Sequence, residues 1–356
     1  MRPNQPKPPR SRSRWSAACA LVLYVPANMV SSAATPPAQV TSVESIAVTV
    51  SDLDRAVDFY SKVLTFEKVD DREVSGEAYE HLFGVFGLRV RSARMRLGDE
   101  YLELQQFLAP RGRPVPLDSR SNDRWFQHIA IIVSDMTAAY ARLRSFNVEH
   151  ASSGPQRLPD WNPNAGGIEA FYFRDPDGHN LEVLQFPADK GAPKWHARDG
   201  RLFLGIDHTA IVVADTGASL HFYRDALGMR VAGRSDNYGT EQEHLNNVFG
   251  AHLRITALRA AHGPGIEFLE YLAPRTGRPL PVDTQPDDLW YWQVNLCSGA
   301  PSALETTLRD AHAPLLSASA IKLGDAQLGW RTGLITRDPD GHASLIGEGQ
   351  QCTRTW

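Results

Sequence analysis

Residues 173–186 read FRDPDGHNLEVLQF and residues 336–349 read TRDPDGHASLIGEG. The turn is the same in both copies, but Glu182 in the first is matched by Leu345 in the second. A carboxylate on a strand can move a proton or hold a cation, and a leucine can do neither. Two histidines recur as well: His128 opens HIAIIVSDM and His208 opens HTAIVVADT. Imidazole is a metal ligand and an acid–base group near neutral pH. Taken singly, such a histidine is more often a hydrogen-bonded buried residue, and such a glutamate an ordinary edge charge.

The elements that must position these groups form a repeat. SIAVTVSDLDRAVDFYSKVLTFEKV from Ser45 aligns with HTAIVVADTGASLHFYRDALGMRVA from His208, and EHLFGVFGLRVRSARMRL from Glu80 with EHLNNVFGAHLRITALRA from Glu243. YLELQQFLAPRGRPVP then matches IEFLEYLAPRTGRPLP, so the two halves align throughout. Each half also repeats internally. HIAIIVSDMTAAYARLRSFNV from His128 has the strand–Asp–helix plan of the unit from Ser45, and a fourth unit opens with QVNLCSGAPSALETTLRDAHA from Gln293.

Local chemistry sets the elements. Alternating branched residues such as Ile129, Ile131 and Val133 predict strands buried on both faces. Asp52, Asp135 and Asp215 stand where a carboxylate caps the free N–H groups of the following helix. Val57, Tyr60, Val63 and Leu64 fall at helical spacing. Asp-Pro-Asp-Gly predicts a hairpin turn, with Pro presetting φ and Gly taking the left-handed position. Each unit should therefore run strand–helix–strand–strand–strand.

The stretch IAIIVSDM…FYFRDPDGHNLEVLQF resembles the vicinal oxygen chelate superfamily, which includes glyoxalase I, methylmalonyl-CoA epimerase, extradiol dioxygenases and bleomycin- and fosfomycin-resistance proteins. The resemblance runs from about Val43 to Gly347. It implies an α+β fold: four βαβββ modules forming two cupped, barrel-like mixed sheets with helices outside. It identifies a fold and leaves the reaction open.

In that family the metal ligands come from the first strand of each unit and from a glutamate on its last strand. Carried over, the first-strand positions are Ser45, His128, His208 and Gln293, and the last-strand positions are Glu103, Glu182, Glu267 and Leu345. If neighbouring units pair within each half, both sites are incomplete. If unit two pairs with unit three and one with four, His128, Glu182, His208 and Glu267 make one whole site and the other cup is dead. The second arrangement is expected, because it leaves no intact ligand pair stranded. The set suits Zn, Ni, Co, Mn or Fe as a divalent metal, acting as a Lewis acid on a substrate carbonyl. Glu182 or Glu267 would then be the proton-transfer base.

The implied activity is that of a metal-dependent lyase, isomerase or epimerase acting on a small oxygenated molecule that chelates the metal. The alternatives are an Fe(II) extradiol-type dioxygenase and a metal-free small-molecule binding or resistance protein. Glu103 reads as a remnant, and Gln293 keeps one oxygen ligand atom, which leaves a weak second site open. His179 and His342 should finish the hairpins. His81 and His244, in the repeated EHL, read as mouth or packing residues, and Trp125 and Trp290 as packing. The loop QRLPDWNPNAGGI, residues 156–168, does not repeat cleanly and should overhang a cup, with Trp161 as its candidate substrate-binding residue.

The totals fit this reading. The chain has 356 residues, 42% hydrophobic and 22% charged, with a formal net charge of −4. No basic face suggests nucleic acid. Arg2, Lys7, Arg10, Arg12 and Arg14 precede the apolar WSAACALVLYVPANMV and the small, polar SSAATPPAQ, the layout of a secretory signal too short to span a membrane. The expected organisation is a signal peptide at 1–34, a linker at 35–42, a two-module domain at 43–190, a linker at 191–201, a second two-module domain at 202–348 and a tail at 349–356. The mature protein would be secreted or periplasmic and free of membrane, or cytoplasmic if the first residues are misassigned. It would be a monomer or homodimer whose partner is its small-molecule substrate. Of three cysteines, Cys19 would leave with the signal, and Cys297 and Cys352 could pair in an oxidising compartment.

Overall fold

The computed structural model describes residues 39–324 and 326–354. The expected signal peptide lies outside the described residues. Unit one runs β1 (Ser42–Thr49), α1 (Leu53–Lys62), β2 (Glu67–Ser75), α2 (Glu77–Phe83), β3 (Arg89–Leu97) and β4 (Glu100–Ala109). Unit two runs β5 (Phe126–Val133), α3 (Met136–Ser145), β6 (Glu149–His150), β7 (Gln156–Arg157), β8 (Glu169–Arg174) and β9 (Asn180–Gln185). Unit three runs β10 (Phe203–Val212), α4 (Thr216–Leu220), β11 (Arg230–Tyr238), α5 (Thr240–Asn246), β12 (His252–Arg259) and β13 (Gly265–Ala273). A π-helical segment, His221–Ala226, continues α4. Unit four runs β14 (Trp292–Cys297), α6 (Pro301–Asp310), β15 (Ile321–Lys322), β16 (Trp330–Arg337) and β17 (Ala343–Gly349).

The strand–helix–strand–strand–strand plan holds with two departures. Units one and three insert a short helix, α2 or α5, which carries the repeated EHL. Both follow a glycine at positive φ, Gly76 at 100° and Gly239 at 96°, a turn that other side chains resist. Units two and four instead shrink the second strand to two residues. The caps behave as the sequence predicts: Asp52, Asp135 and Asp215 each accept a backbone N–H three residues on. Unit four lacks the aspartate, and Pro301 starts its helix with a preset φ.

Two sheets form, each from one unit of each half. The outer sheet orders β15-β16-β17-β14-β1-β4-β3-β2, joining units four and one through antiparallel β14 and β1. The inner sheet orders β11-β12-β13-β10-β5-β9-β8-β6, joining units three and two through antiparallel β10 and β5. The two largest cores run the other way. Ile46, Tyr60 and Leu104 of unit one pack with Ile131, Phe171 and Val183 of unit two. Tyr223 and Phe268 of unit three pack with Val294 and Leu334 of unit four. Sheets therefore tie the halves together, and the two largest cores tie each half to itself, while a third core packs Leu82 and Phe83 of unit one with Trp330 and Ile335 of unit four. Truncating a fully buried member such as Ile131 to alanine should cost roughly 2–5 kcal/mol.

The repeated turn belongs to this second set of ties. Asp175 Oδ1 accepts the N–H groups of Asp177 and His179, while Oδ2 accepts from His179 Nδ1 at 2.8 Å and from the Tyr60 hydroxyl of unit one at 3.2 Å. Asp338, Asp340, His342 and Tyr223 repeat the arrangement with the same two distances. Both imidazoles are buried, as hairpin-finishing residues should be. Burial lowers the pKa of each, but the adjacent aspartate outweighs it, and both stay above the usual histidine value. Trp125 and Trp290 stack at 6.2 Å, each indole N–H bonded within the fold, in a packing role. Cys297 and Cys352 are joined in a disulfide.

Candidate metal centre

Register places the candidate ligands. Across β5 and β10, His128 stands opposite Ala210 and His208 opposite Ala130. Parallel to them, β9 sets Glu182 beside Ala130 and β13 sets Glu267 beside Ala210. Residues two apart on a strand share a face, so each histidine shares a side with its neighbouring strand's glutamate. The small side chains of Ala130 and Ala210 leave space between them.

The four side chains converge. His128 Nε2 lies 3.3 Å from His208 Nε2. His208 Nε2 lies 3.5 Å from Glu267 Oε2, and Glu182 Oε2 lies 3.1 Å from His128 Nε2 and 3.8 Å from His208 Nε2. One ligand atom each from His128, His208 and Glu267 falls within 4.8 Å of the others. Atoms bound to one cation at about 2.0–2.2 Å sit roughly 3–4 Å apart, so this spacing fits. A second observation supports the fit: Glu182 Oε2 is buried and, among the described residues, meets the two imidazole Nε2 atoms without a well-aligned hydrogen bond, a state that a shared cation or a ligand would relieve.

The outer nitrogens are held from behind. His208 Nδ1 donates to Asp207 Oδ2 at 3.0 Å, and Asp207 is fixed by Arg259 Nη2 at 2.7 Å and Trp195 Nε1 at 2.9 Å. His128 Nδ1 bonds Gln127 Oε1. Such partners set the tautomer and aim Nε2 inward. Sequence reasoning missed Gln127 and Asp207. Their signal was a polar residue immediately before each histidine in otherwise apolar strands, FQHIAIIV and FLGIDHTAIV.

Charge at the centre is strongly coupled. Burial lowers the His208 pKa, but Glu267, Asp207 and Glu182 together drive it up to about 9. Burial raises Glu267, and the two histidines offset only part of that rise. Burial would raise Asp207 too, yet His208 and Arg259 hold it below the usual carboxylate range. Burial, then the charge of Glu182, keeps Tyr172 a neutral phenol.

Glu182, His208, Glu267 and Tyr172 open onto a cavity of about 570 Å³. The 156–168 loop reaches over it through Leu158, Asn164, Ala165 and Ile168. Asn162 clamps the loop to unit three by donating to Asn237 Oδ1 at 2.8 Å. Trp161 is not among the lining residues; it is half exposed and packs on Tyr238 with ring centroids 4.5 Å apart.

The outer sheet repeats the register without the chemistry. Ser45 stands opposite Asn295 and Gln293 opposite Ala47, with Glu103 beside Ala47 and Leu345 beside Asn295. Asn295 Nδ2 donates to Ser45 Oγ and Gln293 Nε2 to Asn295 Oδ1, both at 2.9 Å. Glu103 is bonded by Arg94, which also bonds Glu44. Arg94 faces Glu103 where Ala257 faces Glu267. A guanidinium thus takes up the carboxylate in this cup.

A family model for the Glyoxalase/Bleomycin resistance protein/Dioxygenase superfamily matches residues 42–183 and 205–314. A 2-epi-5-epi-valiolone epimerase from Actinomyces is 33% identical over 167 residues, 46% of this chain and 87% of that protein. A lactoylglutathione lyase from Arabidopsis thaliana is 25% identical over 182 residues, 51% of this chain and 53% of that protein. Glyoxalase I from Zea mays is similar in structure with a TM-score of 0.56 at 15% identity, covering 87% of this chain and 93% of that one. A putative dioxygenase from Bacillus subtilis gives 0.55 at 12%, covering 88% and 86%. At these identities both structures speak for the fold alone.

Proposed function

The chain belongs to the Glyoxalase/Bleomycin resistance protein/Dioxygenase superfamily, and from that footing we propose that it is a metal-dependent lyase, isomerase or epimerase acting on a small oxygenated substrate. The observation that carries this reading is the convergence of His128, His208 and Glu267, with the buried Glu182 Oε2 beside both imidazoles. His128, His208 and Glu267 would hold a divalent cation from the set Zn, Ni, Co, Mn or Fe. When bound, that cation polarises a carbonyl held by neighbouring oxygens and acidifies the adjacent C–H.

The protein's own groups do the rest. Glu182 lines the cavity and its Oε2 makes no well-aligned hydrogen bond among the described residues, so it is the base that takes a proton from that carbon and returns it. Asp207 and Gln127 keep the imidazoles oriented. Tyr172, neutral, offers a hydrogen-bond donor on the same floor. Leu158, Ile168 and Leu184 line the wall and limit water at the reacting carbon. The epimerase relative supports a proton transfer of this type.

Two histidines with one carboxylate also make the ligand set of Fe(II) oxygenases, which favours oxygen-dependent cleavage as the second reading. The Cys297–Cys352 disulfide supports an oxidising compartment and so the proposed export. The test is deuterium exchange. Metal-loaded protein is incubated in D₂O with a panel of 2-hydroxyketones and followed by NMR. Exchange at the carbon beside the carbonyl, abolished in Glu182→Gln with metal retained, is expected. Oxygen uptake without exchange supports the second reading, and neither metal nor exchange leaves a binding protein.

A further inference from the structure

Two arginines on the cavity wall have no side-chain partner among the described residues. Arg230 and Arg234, both on β11, line the cavity above the metal centre, and their side chains make no ion pair or hydrogen bond with the described residues. The other charges along the wall are committed: Glu100 to Lys194, and Asp207 to Arg259. Arg230 stands directly opposite Arg259 across β11 and β12. Both Arg230 and Arg234 are exposed to solvent at the cavity wall, and since Arg259 is taken by Asp207, Arg230 faces a cation rather than an acid across the strand pair.

The outer cup reveals what is unusual. By register, Glu67 and Asp71 of unit one occupy the places of Arg230 and Arg234. Glu67 faces and pairs with Arg96, the counterpart of Arg259, and Asp71 pairs with Arg91 and Lys68. One cup holds acids that are matched within the fold. The cup with the metal ligands holds arginines left unmatched.

We propose that the substrate has two ends: neighbouring oxygens that chelate at His128, His208 and Glu267, and an anionic group, carboxylate or phosphate, that seats on Arg230 and Arg234. This rests on the metal-chelate reading above and adds the charge of the substrate to it. Guanidinium forks suit either anion through paired N–H donors.

Hydroxamate probes separate the two ends. Acetohydroxamate is a neutral chelator; succinic monohydroxamate and phosphonoacetohydroxamate carry the same chelating head on an anionic tail. Calorimetric titration of the zinc-loaded full chain should give roughly tenfold tighter binding for the tailed probes, as expected of charge-assisted hydrogen bonds. In Arg230→Ala/Arg234→Ala that advantage should fall within about twofold while acetohydroxamate binds unchanged. Arg230→Glu, which restores the pairing of unit one, should fold and also lose the advantage, so a misfolded double variant does not obscure the result. Equal binding of all three probes to the unaltered protein, or an advantage that survives in both variants, overturns the proposal and leaves the metal reading standing. Failure to bind zinc or acetohydroxamate overturns both.

Discussion

Arg94 bonds Glu103 in the outer sheet at the register position where Ala257 faces Glu267 in the inner one. A fixed internal cation thus lies in one cup, and a cluster able to take a mobile one lies in the other. Arg94 also bonds Glu44, which is fully buried, so its removal strands two carboxylates. Arg94→Ala should cost roughly 3–5 kcal/mol, read as a fall in the midpoint of denaturant unfolding. A change below about 1 kcal/mol would mean the cup is open enough for water to replace the guanidinium.

Metal affinity should depend on pH through His208. Without metal its imidazole stays protonated up to about pH 9, and a ligating imidazole must give that proton up. Apparent affinity should climb by up to about tenfold per pH unit from 6 to 9 and then level off. Chelator competition at successive pH values, corrected for the chelator's own titration, measures it. A flat profile would show that His208 is not a ligand.

Asp175 and His179 should give a stability window. The folded pKa of His179 is raised, so its contribution is complete below the unfolded value of about 6.5 and is lost as pH rises through the folded value. Burial would raise Asp175, but His179 lowers it, so its contribution is present above about 3.9 and is lost as pH falls through the folded value. Asp175→Ala should cost roughly 3–5 kcal/mol at pH 6, and the loss should shrink towards high pH. Equal loss at pH 6 and at pH 10 would assign the effect to packing alone.

The disulfide closes a span of 55 residues and anchors the segment 349–354, which lines the outer cup. Loop-closure entropy gives about 4 kcal/mol for such a span. Reduction should therefore lower the melting temperature without releasing metal from the inner cup. Loss of metal on reduction would mean that the two cups are coupled.

The fold was legible because four copies of one pattern constrain each other, as Asp52, Asp135 and Asp215 do by capping three equivalent helices. The short helices α2 and α5 were not foreseen, since seven residues are too few for a clear helical period. His128, Glu182, His208 and Glu267 could be picked out by carrying the ligand positions of the resembled family onto the aligned units, but which units meet is a long-range pairing that local pattern only suggests. Asp207, Gln127, Arg230 and Arg234 escaped notice because their meaning lies in partners, present or missing, on other strands. Trp161 drew attention as an aromatic on an irregular loop, and its stacking on Tyr238 depends on a strand far along the chain.

The metal centre is tested most directly by the metal content of protein purified without chelator or affinity tag and then loaded with zinc, nickel, cobalt, manganese or iron(II) in turn. One ion per chain is expected, lost in His128→Ala/His208→Ala while the circular dichroism spectrum is unchanged. No ion under any loading condition, or an ion retained by the double variant, would contradict it.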